Sequence, residues 1–199
     1  GVVIIGKLNF WESQARISVQ VLDIRPSIST VLKKFEIVKS KLFDEGLIDD
    51  SLRKKLPKYP RSIGILTSVP SSALADMLRT SKERWPLTKL KIIPIPVQGN
   101  NENELQFILS KLKRNKLDID AIIIARGGGS REDLMLFDSE IIAREIATFP
   151  IPVITGIGHE DDLTVSDLVA DHRSSTPTAA IVDLLPSREI EKNNFFQNK

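Results

Sequence analysis

Residues 121–133 read Ala121-Ile122-Ile123-Ile124-Ala125-Arg126-Gly127-Gly128-Gly129-Ser130-Arg131-Glu132-Asp133, and this stretch decides the fold. An unbroken apolar run into an arginine and three glycines predicts a buried parallel strand that stops where the backbone must stay thin. In an open α/β sheet, ligands bind beyond the carboxyl ends of the strands. Lacking Cβ atoms, Gly127, Gly128 and Gly129 can take positive φ and aim successive N–H groups at one anion. Ser130 is placed to cap a short helix whose N-terminus adds a field favouring negative charge. Arg126, at the strand end, supplies a planar fork suited to phosphate or carboxylate. Taken alone, the stretch also fits a glycine turn carrying a surface arginine.

Downstream, residues 138–149 space Ile141, Ile142, Ile146 and Phe149 along one side of a helix. Pro150 and Pro152 bracket the last clear strand, 153–155. There the earlier arrangement recurs: Gly156-Ile157-Gly158-His159-Glu160-Asp161-Asp162 puts glycines and polar chemistry after a strand end. If both strands are parallel members of one sheet, Arg126 and His159 emerge on the same edge. His159 can exchange a proton near neutral pH, and Asp162 is the carboxylate best placed to fix its tautomer. The competing reading makes Asp161 and Asp162 the cap of a helix running into Val165 and Leu168. Further on, Asp167, Asp171, His172 and Arg173 continue the polar run. Thr176 before Pro177 then marks a helix entry, with a break expected near Pro186.

Upstream, the pattern is a strand at 63–67, a helix at 70–84 with Pro70 in its first turn, a strand at 90–97 and a helix at 103–115. Asp76 falls in the first of these helices. Pro94 and Pro96 suit a sheet edge. Strands alternating with helices predict an α/β fold, a mostly parallel sheet with helices on both faces. Ahead of it, residues 2–10 and 16–24 predict a β-hairpin, either the tail of a β domain or an arm leaning on the α/β domain. Its tip carries Phe10 and Trp11, which can stack on bases or pack on neighbours. Next along the chain is a helix at 27–45, with Ile28, Val31, Phe35, Val38 and Leu42 on one stripe, lysines on its flanks and Gly46 at its end. Arg53, Lys54, Lys55, Lys58 and Arg61 form a basic linker able to touch a polyanion.

The chain has 199 residues, 41% hydrophobic and 27% charged, enough for one sizeable core. A net charge of +2 does not by itself argue for nucleic acid. The absence of cysteine excludes disulfides and thiolate metal sites, and fits a reducing compartment such as the cytoplasm. Two histidines speak against a multi-histidine zinc centre. There is no apolar run of about eighteen residues, so no membrane span is expected. Beginning with Gly1 and without a signal-like pattern, the chain is expected to start at a domain boundary.

Several stretches together resemble the exodeoxyribonuclease VII large-subunit family. They are Gly46-Leu47-Ile48-Asp49 with Leu56-Pro57, residues 63–68 with Asp76, Val97-Gln98-Gly99, Arg126-Gly127-Gly128-Gly129-Ser130 with Glu132-Asp133-Leu134, Gly158-His159-Glu160 with Asp162, and Ala170-Asp171 with Thr176-Pro177-Thr178-Ala179-Ala180. The chain departs from the family at Ser71-Ser72, where Gly-Ala is usual. It also departs at Met135 and Asp138-Ser139, where an aromatic and Asn-Asp are usual.

The resemblance implies a nuclease that cuts single-stranded DNA from both ends into short oligonucleotides, partnered by a small helical subunit. It implies that residues 1–25 end an OB-fold, 26–61 are a helix and basic linker, 62–176 the catalytic domain, and 177–199 the start of a helical region. By motif position, Asp76, Arg126, His159 and Asp162 are the expected catalytic residues. Gly127, Gly128, Gly129 and Ser130 are the expected phosphate cradle. The resemblance also implies that no metal is required. Against that stands a set of carboxylates, Asp76, Asp133, Glu160, Asp161 and Asp162, able to bind Mg²⁺ through oxygen. A nucleotide- or phosphate-binding module without chemistry, and a DNA-binding scaffold using residues 53–61, are the alternative functions.

Overall fold

The computed structural model describes residues 1–11, 15–115, 118–159 and 161–197. Strands β1 (Val2–Trp11) and β2 (Arg16–Pro26) form an antiparallel hairpin with a register shift between Ile5 and Gly6. Most of the turn expected between them lies outside the described residues. Ile4, Ile5, Leu8, Phe10, Val19 and Leu22 are all exposed, so the hairpin is not packed along the α/β domain. Helix α1 (Ile28–Asp44) buries Val31, Phe35, Val38 and Leu42 and gives way to Gly46, whose φ of +72° only glycine adopts readily. The expected stripe is present except at Ile28, which is exposed.

The α/β domain is built from β3 (Ser62–Thr67), α2 (Ser72–Arg84), β4 (Lys89–Pro94), α3 (Glu102–Arg114), β5 (Ala121–Arg126), α4 (Glu140–Ala147), β6 (Val153–Ile157), α5 (Val165–Val169), β7 (His172–Arg173), α6 (Pro177–Leu184) and α7 (Arg188–Gln197). Five parallel strands lie in the order β4-β3-β5-β6-β7. Both faces are covered. One core joins Leu105 and Leu109 of α3 and Ile142 and Ile146 of α4 to α1 and the sheet. The other sets Leu74 and Met77 of α2 with Ala180, Ile181 and Leu184 of α6 against Ile63, Ile65 and Ile123. The packed core therefore extends past residue 176 into α6.

Several boundaries differ from the sequence reading for identifiable reasons. Pro70 follows a cis peptide bond and stays outside α2, whose first turn is capped instead by the Ser71 hydroxyl accepting from Leu74 N–H at 3.1 Å. β4 does form an edge strand but stops at Pro94, since proline cannot donate to the ladder. β6 runs two residues beyond Thr155, taking in Gly156 and Ile157. Glycine is needed at 156 because a Cβ there would lie 2.8 Å from the Thr176 carbonyl at the start of α6. β7, unforeseen in the sequence, lines up His172 with Ile154 and Arg173 with Thr155.

Candidate active site

Strand order locates the crevice. The chain leaves β3 toward β4 through α2 on one face, and leaves β5 toward β6 on the opposite face. The carboxyl ends of β3 and β5 therefore form the topological switch point at which such sheets bind ligands. Arg126 ends β5 there. It is only 6% exposed, so it is not the surface arginine of the simpler reading. Its Nη2 lies 3.5 Å from Asp133 Oδ2, while Nη1 is buried with no hydrogen-bond partner among the described residues. Gly127 faces the N-terminal turn of α2, with Ala73 in ordinary contact range of its position.

The glycines do not take the backbone conformation expected of them. None of Gly127, Gly128 and Gly129 has positive φ; in this region only Gly158 does, at +69°. What the triplet provides is space. A Cβ on Gly129 would collide with the Arg126 guanidinium, and one on Gly128 with the His159 imidazole. The glycine loop thus packs against the two side chains whose meeting the sequence could only conjecture. Ser130 stands at the N-cap of a 3₁₀ segment (Arg131–Asp138), where its N–H donates to Asp133 Oδ2 at 3.1 Å.

His159 reaches the same rim because Ile157 pairs with Arg126 and Gly158 N–H donates to the Arg126 carbonyl at 3.2 Å. Its ring is 69% exposed. Asp162 holds the loop: its carboxylate accepts the His159 backbone N–H at 3.1 Å and sits 3.5 Å from ring Nδ1, while Asp162 N–H returns to the His159 carbonyl at 3.0 Å. Asp162 grips the backbone more tightly than the ring. Asp161 and Asp162 do not cap α5. That role falls to Thr164, whose hydroxyl accepts from Asp167 N–H while the Asp167 carboxylate accepts the Thr164 N–H.

Asp76 is positioned differently. It lies on α2 one turn past Ala73, and its carboxylate accepts from Arg79 at 2.7 Å. Arg126 and His159 lie against one glycine loop and Asp162 lies beside His159, whereas Asp76 sits on α2 paired with Arg79.

Over residues 47–198 the sequence matches the family described as exonuclease VII, large subunit. The chain belongs to that family. A Synechococcus sp. (strain CC9311) protein called exodeoxyribonuclease 7 large subunit is 59% identical over all of this chain and 52% of its own length. A relative of the same name from Parasynechococcus marenigrum (strain WH8102) is 57% identical over the same shares. One from Campylobacter hominis is 46% identical over 93% of this chain and 48% of that protein. The chain spans about half the length of the curated relatives it matches.

In this exonuclease VII-family chain, the sequence reading passed over Arg173. Its side chain, at the end of β7, comes within 3.5 Å of the His159 carbonyl. Its only signal was a place in a polar run, which did not reveal a strand beside β6. Two residues of the basic linker, Arg53 and Lys54, are by contrast engaged at the opposite end of the sheet. Lys54 N–H donates to Asp171, which also accepts from Val153 N–H at the start of β6, and Arg53 donates to the Leu168 carbonyl. The scaffold alternative drawn on residues 53–61 thus concerns the end of the sheet away from Arg126. Of the carboxylates named for Mg²⁺, Glu160 lies outside the described residues. Among those described, no group of three or more His, Asp or Glu is arranged to hold a metal.

Behind the rim, Asp138 is buried and pairs with Arg131 at 2.6 Å, while its other oxygen accepts from Val165 N–H at 3.1 Å. It was expected inside a helix; α4 instead starts after Ser139, and Asp138 joins the 3₁₀ segment to α5. Burial pushes its carboxyl up to about 6 despite Arg131. A folded value above the ordinary carboxylate value means the fold prefers the protonated form. The stability tied to that proton is present in full below about pH 4 and is lost as pH rises through about 6. Asp138→Asn has no proton to lose. Urea unfolding should show the variant gaining on the parent by about 3 kcal/mol between about pH 4 and 7. A pH-independent difference would remove this assignment.

Proposed function

We propose that this chain forms the hydrolytic domain of an exonuclease VII large subunit that hydrolyses phosphodiester bonds of single-stranded DNA from both ends, releasing short oligonucleotides. The observation that carries the reading is a buried guanidinium and an exposed imidazole lying against successive glycines of one loop at the carboxyl edge of the sheet. Arg126, the N–H groups of the glycine loop and Ser130 stabilise charge on the phosphoryl oxygens. His159 moves the proton, as general base toward water or general acid toward the leaving oxygen. Asp162 orients His159, and Asp76 positions the water or the imidazole from α2.

In the same reading β1 and β2 close an OB-fold, and α6 and α7 begin the helical region that binds the small subunit. The reaction requires no metal, and the enzyme works in the cytoplasm. No helix among the described residues is long and apolar enough to cross a membrane.

The full-length protein assembled with its small subunit should release acid-soluble products from end-labelled single-stranded DNA, from either labelled end, with EDTA present. Binding without release of label would reduce the chain to an anion-binding module. Cleavage abolished by EDTA and restored by Mg²⁺ would replace the metal-free route.

A further inference from the structure

Two hollows lie side by side on the rim next to Arg126. They share Gly99, Asn100 and Met135, so Met135 forms the ridge between them. The larger, about 370 Å³, is also lined by Gln98, Asp133 and Ile24 at the end of the hairpin. The smaller, about 200 Å³, runs on to Lys34 of α1 and Glu102 of α3. Because Asp133 is the carboxylate beside Arg126, the larger hollow opens one side chain away from the guanidinium.

We infer that this double hollow binds the base and sugar of a nucleotide flanking the scissile phosphate, with Met135 as its apolar contact; the inference rests on the nuclease reading above. The chemistry of the walls selects a base. Asp133, Glu132 and Glu102 repel a phosphate placed inside, whereas carboxylates and the exposed amides of Gln98 and Asn100 suit the donor and acceptor edges of a nucleobase. The loop that carries those amides is set by Gly99 at φ +77° and by Asn101 donating to the Gln98 carbonyl at 2.9 Å. Met135 supplies a polarisable surface for a π-face, tolerant of base identity. Cations stand at the two ends, Arg126 beyond Asp133 and Lys34 beyond the ridge. Of the other α1 lysines, Lys39 is paired with Glu36 and Lys41 with Glu140. A strand lying here keeps its phosphates at the ends and its base over Met135.

The test uses the full-length assembled enzyme and two oligonucleotides with the same backbone, one normal and one abasic throughout. Met135→Ala should weaken binding of the normal strand about five-fold, read as Kd by fluorescence anisotropy and as KM, and leave the abasic strand unchanged. Met135→Phe should tighten the normal strand alone. The paired change Gln98→Ala with Asn100→Ala, both on an exposed loop, should reproduce the Met135→Ala pattern. Equal effects on both strands, or none, overturn the inference. The Kd comparison holds even if the parent enzyme cleaves nothing, which would refute the nuclease reading and not the groove. Normal cleavage with an unmoved Kd refutes the groove alone.

Discussion

His159→Ala in the full-length assembled enzyme is expected to lower kcat by roughly 10²–10⁴-fold while leaving the affinity for single-stranded DNA and the unfolding midpoint near those of the parent. The asymmetry arises from exposure. With 69% of its side chain in solvent, His159 contributes little packing, so its removal leaves no core cavity. Asp162→Asn separates the two duties of that carboxylate. The amide oxygen can still accept the His159 backbone N–H, which the carboxylate now accepts at 3.1 Å, but the charge facing Nδ1 at 3.5 Å is gone. The loop should keep its shape and kcat should fall by less than in His159→Ala. Single-turnover cleavage with saturating DNA reads the chemical step directly. Parent-like single-turnover rates in His159→Ala would end its role in proton transfer.

The three central strands of the sheet were legible in the sequence because they are buried on both faces. Unbroken apolar runs such as Ile122-Ile123-Ile124 announce that environment, and prolines 94 and 96 announce an edge. The conjecture that Arg126 and His159 share a rim needed only parallel strands, and register pairs Arg126 with Ile157. What escaped depended on partners that hydrophobic pattern does not reveal, one distant and two local. Gly156 looked like loop until α6, about twenty residues on, was found against it. Asp76 could be placed on a helix but not aimed, because Arg79 competes for it. Thr164 and Asp167 form a capping box with aspartate in the position where glutamate or glutamine is the usual signal. Asp161 and Asp162, adjacent acceptors just ahead of an apolar run, carry the stronger capping signal in the sequence.

The glycine triplet yields the other large effect, because the three positions differ in what an added methyl group would meet. None has positive φ, so alanine is compatible with the backbone at each, and only the collisions distinguish them. At Gly127 the methyl group would sit 3.7 Å from Ala73 Cβ, an ordinary contact, and Gly127→Ala should behave as the parent. At Gly128 it would strike the His159 imidazole. That ring is free to swing into solvent, so Gly128→Ala should cost little stability and about 100-fold in kcat through misplacement. At Gly129 it would strike a guanidinium enclosed by protein, and Arg126 cannot swing aside. Gly129→Ala should therefore lose about 1–3 kcal/mol of stability as well as activity. A double-mutant cycle decides the cause: in a His159→Ala background the Gly128→Ala change has no ring to displace and should lower kcat no further. An additive loss would mean that the methyl group acts by disturbing the loop backbone that faces the phosphate and not by displacing the imidazole.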